Sequence, residues 1–420
     1  MTTAGKLLRR LYNVIPEGPR FRVSTFRQAW RVKKALRELK PLRIPFIPSD
    51  GTMKPGMNVF GFLSAGLGLG EAARSTIRGA NATGLPVSLF DIRLETHPVD
   101  ASLSLESGKT FEYGINLFHF NPDSIELLWT EPMKRAYLGA QYNIGFWFWE
   151  TPQLPDHWAM AADLFDEIWV GSAFCASTVR RGVSIPVIQI PLNVAPFGST
   201  TSFTRMQLGL PEKGFLFLVM MDFYSRPERK NPFGAVEAFE KAFGTGSTDV
   251  CLIVKVTNSG ISREFQKLKD LSRNNRRIVI LDRFMNRSEL QSLILNIDCM
   301  VSLHRAEGFG LTIAEAMTPG KPVIATDWSA NMEFMTSQNS FPASYNMMTL
   351  NSYAPPYPKG TVWADPNIDE AANIMNMLVG NPALCREVGD RARADISSRF
   401  SAGITGQKIL ERLQEIQAKM

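Results

Sequence analysis

Short apolar runs bounded by glycine, proline and polar residues recur along most of the chain, and helical patterns separate many of them. From Met57, NVFGFLSA reads as a strand, GLGLG as a loop, and EAARSTIRGANATG as a helix that buries its alanine-rich face. Gly84 followed by Pro86 stops that helix, and PVSLFDI is the next strand. INLFHF, YNIGFWFW, EIWVGS and PVIQIPL continue the series. A second series starts at FLFLVMM and runs through the helix NPFGAVEAFEKAFG, the strand CLIVKVT, a helix from about Ser262 and the strand RIVILD. The helix SELQSLILNI, the strand CMVSL, a helix around TIAEAM and the strand KPVIATD complete it, before helical material closes the chain. Strands that alternate with helices predict parallel sheets covered on both faces.

Residues 195–214, rich in Gly, Ser, Thr and Pro, separate the two series. At 420 residues the chain is too long for one ordinary core. The predicted fold class is therefore α/β, with two Rossmann-like doubly wound domains facing across a cleft. The expected segments are a basic extension and linker over 1–53, an N-terminal domain over 54–196, a C-terminal domain over 197–400, and a final helix over 401–420 placed to pack back on the N-terminal domain.

Composition adds little until charge is split along the chain. Hydrophobic residues at 45% and charged residues at 20% suit a soluble globular protein. No apolar run approaches the ~18 residues of a spanning helix, and the start lacks the apolar core of a secretory signal, so the expected location is the cytoplasm. The net charge is +6, but residues 1–50 carry twelve Lys and Arg against three acids, leaving the body slightly acidic. That distribution argues against nucleic-acid binding. The leader holds two helical pieces, KLLRRLYNV and TFRQAWRVKKALREL, the second only loosely amphipathic because Phe26, Trp30, Val32 and Leu36 do not share one face cleanly. Pro41, Pro45 and Pro48 then mark a linker. Residues 1–50 suit an anionic membrane surface, which would make the protein peripheral on the inner membrane face; a solvated arm or a helix packed on its own body suits them equally. Cys175, Cys251, Cys299 and Cys385 sit far apart in mostly apolar stretches and read as free buried thiols.

The sharpest chemistry lies in RAEGFGLTIAEAMTPGKPVIATD. CMVSL delivers the chain to the carboxyl end of a strand, where ligands bind in open α/β sheets. Gly308 and Gly310, flanking Phe309, let the backbone turn tightly beside a ligand. Leu311 and Thr312 then open a helix whose free amides suit a phosphate. Glu315, about one turn in, can accept hydrogen bonds from vicinal ribose hydroxyls, and Glu307 can do so for a sugar beyond the phosphates. Arg226, Arg229 and Lys230 follow the strand FLFLVMM and can neutralise a diphosphate, including charge on a departing one.

This segment resembles the Glu-x7-Glu signature of glycosyltransferase family four, whose members have the GT-B fold. The resemblance implies that Glu315 binds the nucleotide ribose and that Glu307 contacts the donor sugar. It also implies an Arg and a Lys in the loop after FLFLVMM; Lys230 matches the Lys, whereas Ser225 and Tyr224 stand at the Arg spacing, so Arg229 or Arg226 takes that role. YNIGFWFWETPQLPDHWAMAADLFDEIWVGS is similar to a subgroup tied to bacterial surface-polysaccharide assembly. His119, at the end of INLFHF, stands where the family has a sugar-contacting histidine. Retention of anomeric configuration is a further implication.

In the N-terminal half, Gly66, Gly68 and Gly70 form a cleft loop that admits close approach of donor or acceptor. Glu150 can hydrogen-bond an acceptor, with the aromatics before it assigned to the core. The expected function is transfer of a hexose-type sugar from a nucleotide-diphosphate sugar to a glycan or lipid-linked acceptor, in polysaccharide or glycoconjugate assembly. With no Asp-x-Asp for a metal–diphosphate role, neither metal nor cofactor is expected. Two alternatives stand beside it. GLGLGEAA fits G-x-G-x-x-A, with Asp91 ending the next strand, as in NAD(P)-dependent Rossmann oxidoreductases. A non-catalytic carbohydrate-binding relative is the other.

Overall fold

The computed structural model describes residues 17–46, 54–94, 99, 110–197, 203–244, 249–260, 262–354 and 356–418. KLLRRLYNV and Pro48 lie outside them.

Two six-stranded parallel sheets form the body. The first holds β1 Met57–Gly61, β2 Val87–Asp91, β3 Ile115–His119, β4 Tyr142–Trp147, β5 Glu167–Val170 and β6 Val187–Gln189, in the order β2-β1-β3-β4-β5-β6. The second holds β7 Phe215–Asp222, β8 Val250–Thr257, β9 Ile278–Asp282, β10 Cys299–Ser302, β11 Val323–Thr326 and β12 Phe341–Ala343, in the order β12-β11-β10-β7-β8-β9. All five residues of β1 and of β3 are buried, as strands covered by helices on both faces require. In each sheet the winding reverses next to its first strand, between β1 and β3 and between β7 and β10. The loops leaving those four strands diverge and open a crevice.

Register in the first sheet is locked by a buried amide ladder. Asn58, Asn116 and Asn143 occupy paired positions, with Asn58 Nδ2 donating to Asn116 Oδ1 at 2.9 Å and Asn116 Nδ2 to Asn143 Oδ1 at 2.8 Å. A one-residue slip would leave these amides unpaired in an apolar core.

The helix Ala402–Ala418 leaves the second half and packs on the helix Gly68–Ala82 of the first. Backbones meet at Gly79 and Gly406, where a Cβ on Gly406 would lie 2.1 Å from the Gly79 carbonyl oxygen. Arg412 on this helix donates Nε to both oxygens of the buried Glu167 at 3.2 Å, and Trp169 Nε1 donates to the same carboxylate at 2.6 Å. The two strands of chain that cross between the halves lie together, with Val194 N–H donating to Phe400 O at 3.0 Å.

The leader helix, Glu17–Glu38, has two distinct faces. Val32, Ala35 and Leu39 are buried against the first half, while Phe26, Trp30, Lys33 and Arg37 form an exposed stripe at helical spacing. Packing on the body thus accounts for one face, and Phe26 at 71% and Trp30 at 52% exposure mark the other. No helix among the described residues is long and apolar enough to cross a membrane. All four cysteines are free; Cys175 and Cys299 are buried, and Cys251 and Cys385 are half-buried.

A hairpin absent from the sequence reading, β13 Tyr345–Thr349 and β14 Val362–Pro366, pairs antiparallel, and Pro356 and Tyr357 between its strands line the crevice.

Candidate functional site

The crevice holds a cavity of about 850 Å³ reached by loops from both halves. Local sequence sets each loop. After β7, Pro227–Lys230 makes a single helical turn that ends on Asn231 in the left-handed region, φ 49°. Asn231 Oδ1 accepts from Gly234 N–H at 3.2 Å, and its Nδ2 donates to Leu303 O at 2.9 Å. Asn231 and Pro232 therefore start the next helix and tie the loop to the end of β10, which fixes Lys230 at the cavity wall. After β10, Gly310 at φ 88° makes the turn into the helix Leu311–Met317. Asn331 braces this loop by donating Nδ2 to Thr326 O at 2.9 Å and lying 3.0 Å from His304 Nε2.

These loops bring the expected charges together. Lys230 pairs directly with Glu307. Arg229 is buried; its Nη1 donates to Ala306 O at 2.8 Å, and its guanidinium lies 3.5 Å from both Glu307 and Glu150. Burial by itself would raise the Glu307 carboxyl, but the adjacent Lys230 and Arg229 charges outweigh it and hold it down to about 2. Glu307 is therefore an anion at neutral pH, an acceptor for hydroxyl donors. Glu315 takes a charge-assisted hydrogen bond from Arg287 Nη1 at 2.6 Å. Burial pushes the Glu315 carboxyl up against that cation, and the nearby Glu71 charge adds to the rise.

Of the remaining expected residues, Gly308, Phe309, Gly310, Leu311, Thr312, Arg226, Gly66 and Gly68 all line the cavity. Two do not reach it. His119 is wholly buried, with neither ring nitrogen hydrogen-bonded, and stacks on Phe146 at 4.6 Å. Phe146 stacks in turn on Phe148, and Phe148 is the ring that meets the cavity. Desolvation holds the His119 imidazole down to about 3, so it stays neutral. The strand-end position of His119 is as read from sequence; the aromatic stack in front of it is what separates it from the cleft. Gly70 lies inside the first turn of the helix Gly68–Ala82, where a Cβ would fall 2.5 Å from Phe62 O, so its role is to let that helix sit down on the loop after β1. Asp91 is also taken: Ser64 donates to it from N at 3.0 Å and from Oγ at 2.6 Å. The carboxylate that a dinucleotide-binding reading needs is thus tied to its own loop.

Several cavity residues were not picked out from the sequence. Glu71 is paired with Arg74 at 2.8 Å and Arg78 at 2.9 Å, and Arg287 reaches it from the other half at 3.8 Å. Tyr357, between β13 and β14, donates to Glu150 Oε2 at 3.1 Å and packs its ring on Trp149. Lys255, near the end of β8, lines the cavity too, and its sequence signal was a lone lysine inside the apolar strand CLIVKVT.

Comparison with known proteins bears on this geometry at the second half and on the fold as a whole. Residues 202–395 match the family model described as Glycosyl transferases group 1. Both Glu307 and Glu315 and the Lys230 loop fall inside that stretch. The alpha-1,3/1,6-mannosyltransferase ALG2 of Dictyostelium discoideum is 24% identical over 135 residues, covering 32% of this chain and 27% of that protein. The chain thus matches only about a quarter of that relative's length. Among solved structures, Anabaena HepE with UDP and glucose superposes with a TM-score of 0.58 at 16% identity, over 86% of this chain and 100% of that one. Sucrose-phosphate synthase from Thermosynechococcus elongatus gives 0.62 at 15% identity, over 87% of this chain and 100% of that one. The fold is GT-B, in agreement with the two facing sheets expected from the alternating pattern.

Proposed function

We propose that the protein is a glycosyltransferase that moves a hexose-type sugar from a nucleotide-diphosphate sugar to a glycan or lipid-linked acceptor. The observation that carries this reading is the convergence of Glu307, Glu315 and Lys230, from two loops of the second half, on one cavity. Glu315 takes the ribose hydroxyls and Glu307 the donor-sugar hydroxyls. Lys230, with Arg226 and Arg229 beside it, faces the diphosphate. In the transfer step the bond from the anomeric carbon to the diphosphate oxygen breaks, and its electron pair leaves with the diphosphate. The acceptor hydroxyl oxygen bonds to that carbon, and its proton passes to the departing diphosphate. Cations fixed before the reaction stabilise the departing charge without reorganisation, which supports a metal-independent reaction. The resemblance to family four supports retention of configuration and a place in surface-polysaccharide or glycoconjugate assembly. HepE, described with UDP and glucose, supports a nucleoside-diphosphate donor.

The acceptor enters from the first half, between the Gly66–Gly68 loop and the wall made by Glu150 and Tyr357. The leader helix, with Phe26 and Trp30 exposed beside Lys33 and Arg37, supports contact with an anionic membrane surface. A lipid-linked acceptor would be presented at that surface, on the cytoplasmic side.

A thermal-shift panel with UDP, GDP, ADP, their sugar conjugates, NAD and NADP tests the donor reading, because a ligand that binds the native state raises its melting temperature. One nucleoside diphosphate and its sugars should shift the protein, and Glu315→Ala should abolish that shift while remaining folded. A shift with NAD or NADP alone, or an undiminished shift in folded Glu315→Ala, would refute it.

A further inference from the structure

Lys255 stands out among the cavity cations because it has no partner among the described residues. It lies two residues before the end of β8, in register with Met220 of β7 and Leu281 of β9, and its side chain meets the cavity. The residue is 7% exposed and makes no hydrogen bond or ion pair with any described residue. Its neighbours in the cavity are committed: Lys230 and Arg229 to Glu307, Arg74 and Arg78 to Glu71, Arg287 to Glu315. Burial lowers the Lys255 ammonium to about 8, against the pull of Asp222. An ammonium at the wall of a cavity, with no protein group to receive its donors, is placed to donate to a ligand.

Position within the cavity says which part of a ligand that is. If Glu307 takes the sugar and Glu315 the ribose, the donor runs from the loop after β10 towards Arg287, at the start of the helix Arg287–Asn296. The chain between β9 and that helix adds apolar wall through Phe284 and Met285, with Leu290 a turn further on, and Lys255 is in register with Leu281, three residues before Phe284; Thr257 and Gln291 also line the cavity. The charges that weigh most on Lys255 are Asp222, at the end of β7, and Arg283, Asp282 and Glu289, at the end of β9 and in the helix that follows it. The Phe284 ring closes this end by standing against Gly66, where a Cβ would lie 2.5 Å from it. A largely apolar slot with an uncommitted ammonium suits a flat heterocycle that offers an acceptor.

We propose that Lys255 reads the nucleobase of the donor, donating to a ring carbonyl oxygen so that the site takes a uracil or guanine nucleotide and rejects adenine. Uracil and guanine present carbonyl oxygens at their ring edges. Adenine has none; its acceptors are ring nitrogens, and N1 and N7 stand beside an exocyclic amino group whose donors would face the cation. This assignment rests on the donor-site reading above, and it adds the class of base to it.

The test measures dissociation constants for UDP, GDP, ADP and inorganic pyrophosphate with the full chain, as wild type, Lys255→Met and Lys255→Gln. Wild type should prefer UDP or GDP over ADP by roughly tenfold to hundredfold, the range of a charge-assisted hydrogen bond. Lys255→Met should lose that preference while ADP and pyrophosphate binding stay unchanged. Lys255→Gln, which keeps an uncharged donor, should retain part of it. Both variants should melt no lower than wild type without ligand, since an unpaired buried charge has been removed. Equal weakening of all four ligands in both variants would make Lys255 a phosphate contact and overturn the proposal. An ADP preference in wild type, or an unchanged UDP or GDP preference in Lys255→Met, would overturn it too. Failure of wild type to bind any nucleoside diphosphate would instead bring down the donor-site reading, and this assignment with it.

Discussion

Arg229→Met isolates the buried charge network that links the two halves at the cavity. Arg229 lies between two carboxylates, 3.5 Å from Glu150 in the first half and 3.5 Å from Glu307 in the second. Methionine keeps much of the volume and apolar stem but removes the charge and the hydrogen bond to Ala306 O. Glu307 then retains Lys230, while Glu150 retains only the Tyr357 hydroxyl, 3.1 Å away. Removing one partner of a buried ion pair costs about 3–5 kcal/mol, because the remaining charge stays desolvated. Lys230 and the partial exposure of Glu150 place the expected loss near the lower end, about 3 kcal/mol. For an unfolding unit of 150–250 residues that is a fall in melting temperature of roughly 6–12 °C. The assay is thermal unfolding of wild type, Arg229→Met, Glu150→Gln and the double variant. Glu150→Gln in the Arg229→Met background should recover part of the loss, because it removes the stranded anion. A fall under about 2 °C, or a double variant no more stable than Arg229→Met, would refute the reasoning.

Three other perturbations have expected signs. Gly406→Ala should destabilise the protein by about 1–3 kcal/mol, read by melting and by proteolysis of the final helix. In an open helix the same change would stabilise by up to about 1 kcal/mol, so a gain would mean that the contact with the Gly79 carbonyl is not there. The Glu307 carboxyl is held below its unfolded value, so its contribution is fully present above the unfolded pKa and is lost as pH falls towards about 2. Urea unfolding should therefore show wild type more stable than Glu307→Gln at pH 6, with the gap narrowing below pH ~4.5; a gap that widens on acidification would contradict this. Phe26→Ser with Trp30→Ser should leave folding intact and weaken sedimentation with anionic vesicles by roughly tenfold, given the apolar area of two exposed aromatic rings. Equal recovery of both proteins would remove the membrane role of that face.

Much of this architecture was legible locally. Runs such as FLFLVMM and CLIVKVT, bounded by Gly, Pro and Asn, are strands because only a doubly covered strand hides so many consecutive apolar residues. Asn231-Pro232 and Gly310 mark where helices start, because left-handed backbone and a missing amide are properties of single residues. Such signals placed Glu307 and Lys230 just beyond strand ends and Glu315 about one turn into the helix that follows, and hence in a crevice. The hairpin Tyr345–Thr349 with Val362–Pro366 was not legible, since its first strand exposes most of its residues and carries no clean alternation. Which charges meet was decided by tertiary structure alone: Glu150 with Tyr357, Glu167 with Arg412 and Glu71 with Arg287 each join residues about 200 or more positions apart. The same holds for His119, whose strand-end position is local but whose burial depends on the rings of Phe146 and Phe148. Backbone preference acts over a few residues and is written in the local sequence. Desolvation and ion pairing depend on which surfaces come together, and they exist only once the two sheets and the returning helix have closed around the cleft.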